Sequence, residues 1–412
     1  MTDDPPIIAY VVTHHPRTTH TFVTSEIAGL RAAGFGVVVF ALNAPTPDQV
    51  LSDAARAERQ STIYLKERGA GAVLRSAIRA LRLDPIGFAR TFMLALSSGG
   101  TDLRRLLWRV FHFAEALVVW DECRQRGVDT IHAQFGQTPS TVAWLAVELA
   151  RNLGAGCDDW VFTVHGVSEI EDRAESMIAR KVPSSRAMIA VSEYTRSQAL
   201  RQLEPRLWEK VHVVHCGVDL EHFPHRGEHS PGEPPLIVFV GRAVPAKGLP
   251  VLLAAAHHLA DQGLAFRLVI VGGGSFEPEL RAAVAGGADW LELTGEQPPG
   301  EVAKWLSRAD VFCLPSLDEG LPVSVMEAMA VGVPVVTTAV AGIPELAVDG
   351  STALVVPPGN VIRLAGALER LVTDPALGER LSVAARERVV AHHDERACLD
   401  ELVQVISPTT VG

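Results

Sequence analysis

Short apolar runs alternate with helical periods along this chain, and the alternation occurs twice. Residues 7–12 (Ile7, Ile8, Ala9, Tyr10, Val11, Val12) read as a buried strand, 24–33 as a helix closed by Gly34, and 36–41 as a second strand. That is a βαβ unit, which builds parallel sheets whose strands are apolar on both faces. Further strands are expected at 129–133, 160–164, 187–191 and 211–214, with helical patterns between most of them. Breakers and polar groups then crowd 225–235, and the alternation restarts with strands at 236–240, 267–271, 290–293, 311–314, 333–337 and 353–356. Segment 375–406 reads as two helices broken near His392, His393 and Asp394.

A length of 412 residues exceeds what one core usually organises. The reading is therefore α/β, with two doubly wound, Rossmann-like domains facing each other across a cleft at the carboxyl ends of their sheets. Their expected bounds are 1–224 for the first domain, 225–235 for a linker and 236–412 for the second, the last helices packing back on the first. Hydrophobic residues make up 48% of the chain, which suits a folded protein, and the net charge of -11 argues against nucleic acid as a partner. Cys123, Cys157, Cys216, Cys313 and Cys398 form no C-x-x-C pair, so neither a zinc knuckle nor a disulfide framework is expected, in keeping with a reducing cytoplasm. Asp3 and Asp4 replace the basic opening of a signal peptide, and no apolar run reaches spanning length.

Segment 66–109 departs from the acidic average. Its nine basic residues outnumber three acidic ones, a local charge of +6, and Leu74, Ile78, Leu81, Ile86, Phe88, Phe92 and Leu94 are interleaved. Such a stretch can lie peripherally on an anionic lipid surface; it can equally be an ordinary helical pair with solvated arginines.

The chemistry concentrates after the strands of the second half. Glu319 and Glu327 lie eight positions apart across the start of a helix expected to have Pro322 as its first residue. Helical rise puts these carboxylates on the order of 10–12 Å apart, enough to reach from a sugar across a diphosphate to a ribose. Between them a helix N-terminus would favour a phosphate. Arg242 and Lys247 flank the loop 241–248 after an apolar strand, with glycines that let backbone approach a diphosphate closely. Gly273 and Thr294 follow the next two strands, marking either tight turns or a base and ribose pocket. The loop 340–346 shapes a turn in which Glu345 needs no catalytic role. No Asp-x-Asp triplet occurs, so helix dipole, Arg242 and Lys247 are the expected neutralisers of a leaving diphosphate, without a metal.

In the first half His165 ends a strand, placed either to bond a sugar hydroxyl or to serve the fold. His14, His15, His20 and Thr21 belong to the first strand-to-helix turn, which could meet donor phosphates or acceptor; their spacing suits no metal.

Taken together, Glu319 to Glu327 resembles the E-x7-E signature of the retaining glycosyltransferases of family 4, and 241–248 resembles that family's phosphate loop. The similarity extends over 236–359 and, through 14–30, 132–135, 163–166 and 191–195, to the branch that builds exopolysaccharides such as colanic acid. The resemblance implies a GT-B fold and a nucleotide-sugar donor used without cofactor or metal. It implies that Arg242 and Lys247 hold the diphosphate, Glu327 the ribose, and Glu319 the donor sugar, with Gly320, Leu321 and Pro322 nearby. It makes His165 the group that assists at the reaction centre, and a glycan or lipid-linked molecule the acceptor. Many relatives carry Gly-Gly where this chain has Thr18, Thr19, His20 and Thr21. Alternatives on the same fold are an epimerase or phosphorylase-like enzyme and a non-catalytic sugar-nucleotide-binding subunit.

Overall fold

The computed structural model describes residues 5–17, 21–46, 53–227, 229–230 and 232–407. The chain folds as two compact units, residues 1–214 with 399–412 and residues 215–398.

The first unit is built on strands β1 (Ile7–His14), β2 (Gly36–Asn43), β3 (Ile63–Tyr64), β4 (Thr130–Gln134), β5 (Trp160–Val164), β6 (Ala187–Ala190) and β7 (Val211–Val213). They form one sheet in the order β3-β2-β1-β4-β5-β6-β7, and neighbouring strands are parallel. Successive side chains of a strand point to opposite faces. Ala9 and Val11 accordingly enter one apolar cluster, with Ile131 and Ala133 of β4, while Ile8, Tyr10 and Val12 enter the other. Helices cover both faces, which is why β1 reads as continuous apolar sequence rather than as an alternation. The first helix is Thr21–Ala32, three residues longer at its start than expected, and it buries Val23, Ile27 and Leu30 at helical spacing. Thr21 is thus helical, while Thr18, Thr19 and His20 lie outside the described residues.

From Leu399 the chain belongs to this first unit. Leu402 and Ile406 of the last helix (Glu395–Ile406) join the cluster of Ile8, Tyr10 and Val12, and Arg186 donates to the Ile406 carbonyl at 3.0 Å.

The second unit carries β8 (Leu236–Val240), β9 (Arg267–Val271), β10 (Leu291–Gly295), β11 (Val311–Leu314), β12 (Val335–Thr338) and β13 (Leu354–Val356). Their order is β10-β9-β8-β11-β12-β13, again parallel, with Ile237 opposite Val311 and Val238 opposite Phe312. Residues 225–235, expected as a linker, are tied into this unit. Asp310 accepts from His229 Nε2 at 2.7 Å and from the Leu236 amide at 2.6 Å, and the Arg226 amide donates to Val331 at 3.0 Å. Polar breakers in the sequence here serve a buried acceptor rather than a solvated hinge.

Segment 66–109 departs from a uniformly basic surface. Arg109 is buried and donates to the Ala174 carbonyl at 2.9 Å, while Arg68, Arg79 and Arg105 are paired with Glu122, Asp121 and Glu175. Phe88, Phe92 and Leu94 pack against the core. Leu74, Ile78, Leu81 and Ile86 stay exposed, joined by Leu103 (70%) and Phe111 (61%). Among the described residues no helix is long and apolar enough to cross a membrane.

Candidate functional site

In open parallel sheets ligands bind beyond the carboxyl ends of the strands, where strand order reverses. That point falls between β8 and β11 in the second unit and between β1 and β4 in the first.

After β8 the chain passes through Gly241 and Arg242, a short turn over Pro245–Lys247, and Gly248 into the helix Leu249–Asp261. Gly248 has φ +74, and a Cβ there would stand 1.8 Å from the Pro315 carbonyl oxygen, so only glycine allows the two loops to touch. Backbone bonds fasten the turn on both sides: Ala243 donates to Gly273 at 2.8 Å and Leu317 donates to Ala246 at 2.8 Å. Lys247 is thereby aimed at the loop after β11. Its Nζ donates to Glu319 Oε1 at 2.6 Å, and Ser316 Oγ donates to the same oxygen at 2.6 Å. Ser316 is held in turn by Thr338, which donates to its carbonyl at 2.6 Å. Arg242 is exposed and makes no ion pair among the described residues.

The helix after this loop is Val323–Val331, and Pro322 is its N-cap rather than its first residue. A proline ring sets φ but not ψ, and Pro322 has φ -76 and an extended ψ of 112, so the helix starts one residue later. Its first amides have no acceptor within the helix and face an incoming anion favourably. Glu327 opens the second turn and is 8% exposed; burial pushes its pKa up to about 7. Leu321 and Pro322 are buried, and the Gly320 carbonyl accepts from Gly342 at 3.2 Å, so loop 340–346 braces this turn. The Gly273 carbonyl, by accepting the Ala243 amide, is tied to the Arg242 loop. The Thr294 hydroxyl instead donates to the Gly295 carbonyl at 3.0 Å, which engages it within its own strand end. Glu345 comes within 3.7 Å of His215.

In the first unit the loops after β4 and β5 are stitched by one half-buried acid. Glu169 accepts the Gly136 amide at 2.7 Å and the His165 amide at 2.9 Å. Burial pushes its pKa up to about 8, the backbone N–H groups opposing. Buried Lys181 donates to the carbonyls of Gly136 at 3.0 Å and Gln137 at 3.1 Å, fixing the same loop from below. His165 Nε2 lies 2.6 Å from Gln134 Oε1, and the Phe22 and Phe135 rings flank it at 4.4 and 4.9 Å between centroids. Gln134 Nε2 donates to Glu26 Oε2 at 2.7 Å, and the Tyr10 hydroxyl donates to that oxygen at 3.2 Å. Phe135 has φ +77, a strained value for a residue with a side chain. His14 ends β1, but His15 is fully buried against Glu58 at 3.4 Å, so it does not line a ligand loop. Among the described residues, no three His, Cys, Asp or Glu side chains gather to hold a metal ion.

Sequence reasoning singles out neither Ser316 nor Glu26, and gives Gln134 no role. The available signal is the position of Gln134 as the last residue of a parallel strand, at the carboxyl edge where such sheets bind ligands.

The family model described as "Glycosyltransferase Family 4" matches residues 19–222, and that described as "Glycosyl transferases group 1" matches 223–388. A putative colanic acid biosynthesis glycosyltransferase, WcaL, of Escherichia coli is 29% identical over 94% of this chain and 95% of its own length. WcaL of Salmonella typhimurium is 38% identical, over 48% of this chain and 51% of that protein, so this match spans about half of its relative. Anabaena HepE, solved in complex with UDP-glucose, is similar in fold, with a TM-score of 0.69 at 13% identity over 97% of this chain and 99% of that one. Two parallel sheets of Rossmann type, a basic loop joined to an acidic one at a switch point, and family models that together span 19–388 lead to one assignment. The chain belongs to glycosyltransferase family 4 and has the GT-B fold.

Proposed function

We propose that this glycosyltransferase moves a sugar from a nucleotide-diphosphate donor to a glycan or lipid-linked acceptor, retaining the anomeric configuration, in exopolysaccharide or other cell-envelope polysaccharide synthesis. The observation that carries the donor assignment is the Lys247 to Glu319 contact, 2.6 Å long, at the switch point of the second sheet. The likeness to WcaL supports the polysaccharide pathway, and the UDP-glucose bound to HepE supports the donor class.

In this reading Arg242, Lys247 and the amides opening Val323–Val331 take the diphosphate. Glu327 takes the ribose: near neutrality a carboxyl with a raised pKa can both donate to and accept from a diol. Glu319 reads a sugar hydroxyl with Oε2, since Oε1 is occupied by Lys247 and Ser316. Gly320, Leu321 and Pro322 shape the backbone beside it, Gly273 and Thr294 border the base, and His165 contacts a substrate hydroxyl near the reacting carbon. As the sugar carbon becomes cation-like, negative charge grows on the leaving diphosphate. Fixed cations and a helix N-terminus then bind the transition state more tightly than the ground state. No metal is required for that neutralisation, and the acceptor hydroxyl attacks from the face the diphosphate leaves.

A second reading concerns location: the first unit rests peripherally on an anionic membrane, on the cytoplasmic face. Exposed Leu74, Ile86, Leu103 and Phe111 are interspersed with exposed Arg75, Arg82, Arg90 and Arg104, which make no ion pair among the described residues. Apolar insertion and attraction to anionic headgroups act together on such a surface.

A thermal-shift screen over UDP-, GDP- and ADP-sugars tests the donor assignment, because a ligand bound only by the folded state raises its midpoint. One donor should give a shift that Glu327→Ala abolishes. Unchanged donor affinity and turnover in that variant would refute the ribose role, and silence across all donors would refute the donor class.

A further inference from the structure

The geometry points to Glu26 and Gln134 as positioning residues that fix which nitrogen of His165 carries its hydrogen. This inference rests on His165 being the substrate-facing histidine proposed above.

Glu26 Oε2 receives the Tyr10 hydroxyl at 3.2 Å and Gln134 Nε2 at 2.7 Å. Burial, reinforced by Glu26, raises the Tyr10 pKa well above its ordinary value, so the phenol keeps its proton and donates. A carboxylate only accepts, so the amide nitrogen of Gln134 must be the end turned toward Glu26. The reverse orientation would set two oxygens 2.7 Å apart. Gln134 therefore offers its oxygen to His165, 2.6 Å away, and an amide oxygen also only accepts. His165 Nε2 must carry a hydrogen, which leaves Nδ1 as the acceptor of the neutral ring. The rings of Phe22 and Phe135 hold the imidazole from its sides. Strain at Phe135, whose φ is +77, is stored directly beside Gln134.

The pieces come from different elements: Tyr10 from β1, Glu26 from the first helix, Gln134 from the end of β4 and His165 from just beyond β5. A chain of three oriented bonds through four elements transmits polarity, not merely packing. Its consequence is that the hydrogen of the neutral His165 ring sits on Nε2, so that Nδ1 can act only as an acceptor.

The test uses the full chain labelled with ¹⁵N-histidine, with the His165 signals assigned by their loss in His165→Asn. Two-bond ¹H–¹⁵N spectra should show His165 as the Nε2–H tautomer. Glu26→Gln should convert this to a tautomer mixture and lower kcat by roughly tenfold or more, with the donor KM within about twofold. The swap Glu26→Gln with Gln134→Glu restores an acceptor beside His165 and a donor beside it in the chain. It should return the Nε2–H pattern and raise the His165 pKa, whereas a purely structural role would leave the double variant no better than the singles. Gln134→Met reads the same link if Glu26→Gln does not fold. An unchanged ¹⁵N pattern in Glu26→Gln or Gln134→Met, or failure of the swap to restore it, overturns the inference. If His165→Asn keeps full turnover while the tautomer still responds to Glu26→Gln, the substrate role of His165 fails and the positioning chain stands.

Discussion

Lys247 Nζ and Glu319 Oε1 meet at 2.6 Å although 72 positions separate the two residues. They sit on the loops after β8 and β11, strands that become neighbours only because the order of the sheet reverses between them. The base and acid expected to read different parts of a donor are thus one unit, with Ser316 completing it from the same loop. Lys247 can approach a phosphate while remaining anchored, and Glu319 keeps a fixed rotamer with one oxygen committed.

Removing the cation alone should be worse than removing the acid alone. Lys247→Met leaves a buried carboxylate uncompensated, a change that costs about 3 kcal/mol in comparable pairs. We expect donor kcat/KM to fall by at least about a hundredfold, and Lys247→Arg to recover part of it. Steady-state kinetics with the donor found by thermal shift decides this. Equal losses for Lys247→Met and Lys247→Arg would count against a role in phosphate binding.

Glu327 should make the protein less stable as pH rises. Its folded pKa of about 7 lies above the ordinary 4.5, so between those values the folded state holds more protons than the unfolded chain. Stability from this group is fully present below pH 4.5, declines up to about pH 7 and is flat beyond, a change on the order of 3 kcal/mol. Glu169, pushed up to about 8, acts in the same direction, so the quantity to measure is the difference between wild type and Glu327→Gln in urea melts from pH 4 to 8. That difference should grow with pH in favour of the variant; a pH-independent gap would refute the burial argument.

Gly248→Ala should damage the donor loop more than its small size suggests. The residue would be forced into a left-handed conformation, costing about 1–2 kcal/mol, and its methyl group would press on Pro315. A fall in melting midpoint of roughly 5 °C or more, with weakened donor binding, is expected by calorimetry and titration. Normal stability in this variant would mean the loops after β8 and β11 can separate freely.

Membrane contact should depend on apolar residues as well as charge. Flotation with vesicles containing phosphatidylserine should recover the protein at low salt and much less of it at high salt. Leu103→Glu with Phe111→Glu should abolish flotation without affecting donor binding. Recovery of that double variant at wild-type levels would remove the helical face Leu103–Arg126 from consideration.

Most strands and the loops that follow them were legible in sequence because parallel strands covered on both faces are written as contiguous apolar runs. Leu236 to Val240 and Val311 to Leu314 are such runs, and each is followed at once by a loop proposed to meet the donor. Boundaries were less legible. Pro322 can stand at either of two positions because its ring leaves ψ open, and the first helix starts early because Val23 joins the Ile27 and Leu30 face. Arg109 reads as surface charge but is buried beside the Ala174 carbonyl, a partner 65 positions away.

The sequence by itself determined the fold class and the places of Arg242, Lys247, Glu319 and Glu327 after their strands, since periodicity, glycine position and the spacing of Glu319 and Glu327 are local properties that survive in a linear chain. Tertiary structure alone decided the partnerships: Lys247 with Glu319, and Glu26 through Gln134 to His165, the first link spanning 108 positions. Which polar groups meet depends on strand order and register, which bring distant loops to one edge of a sheet. Burial then gives those meetings their strength, because a polar group removed from water must find its partner within the fold.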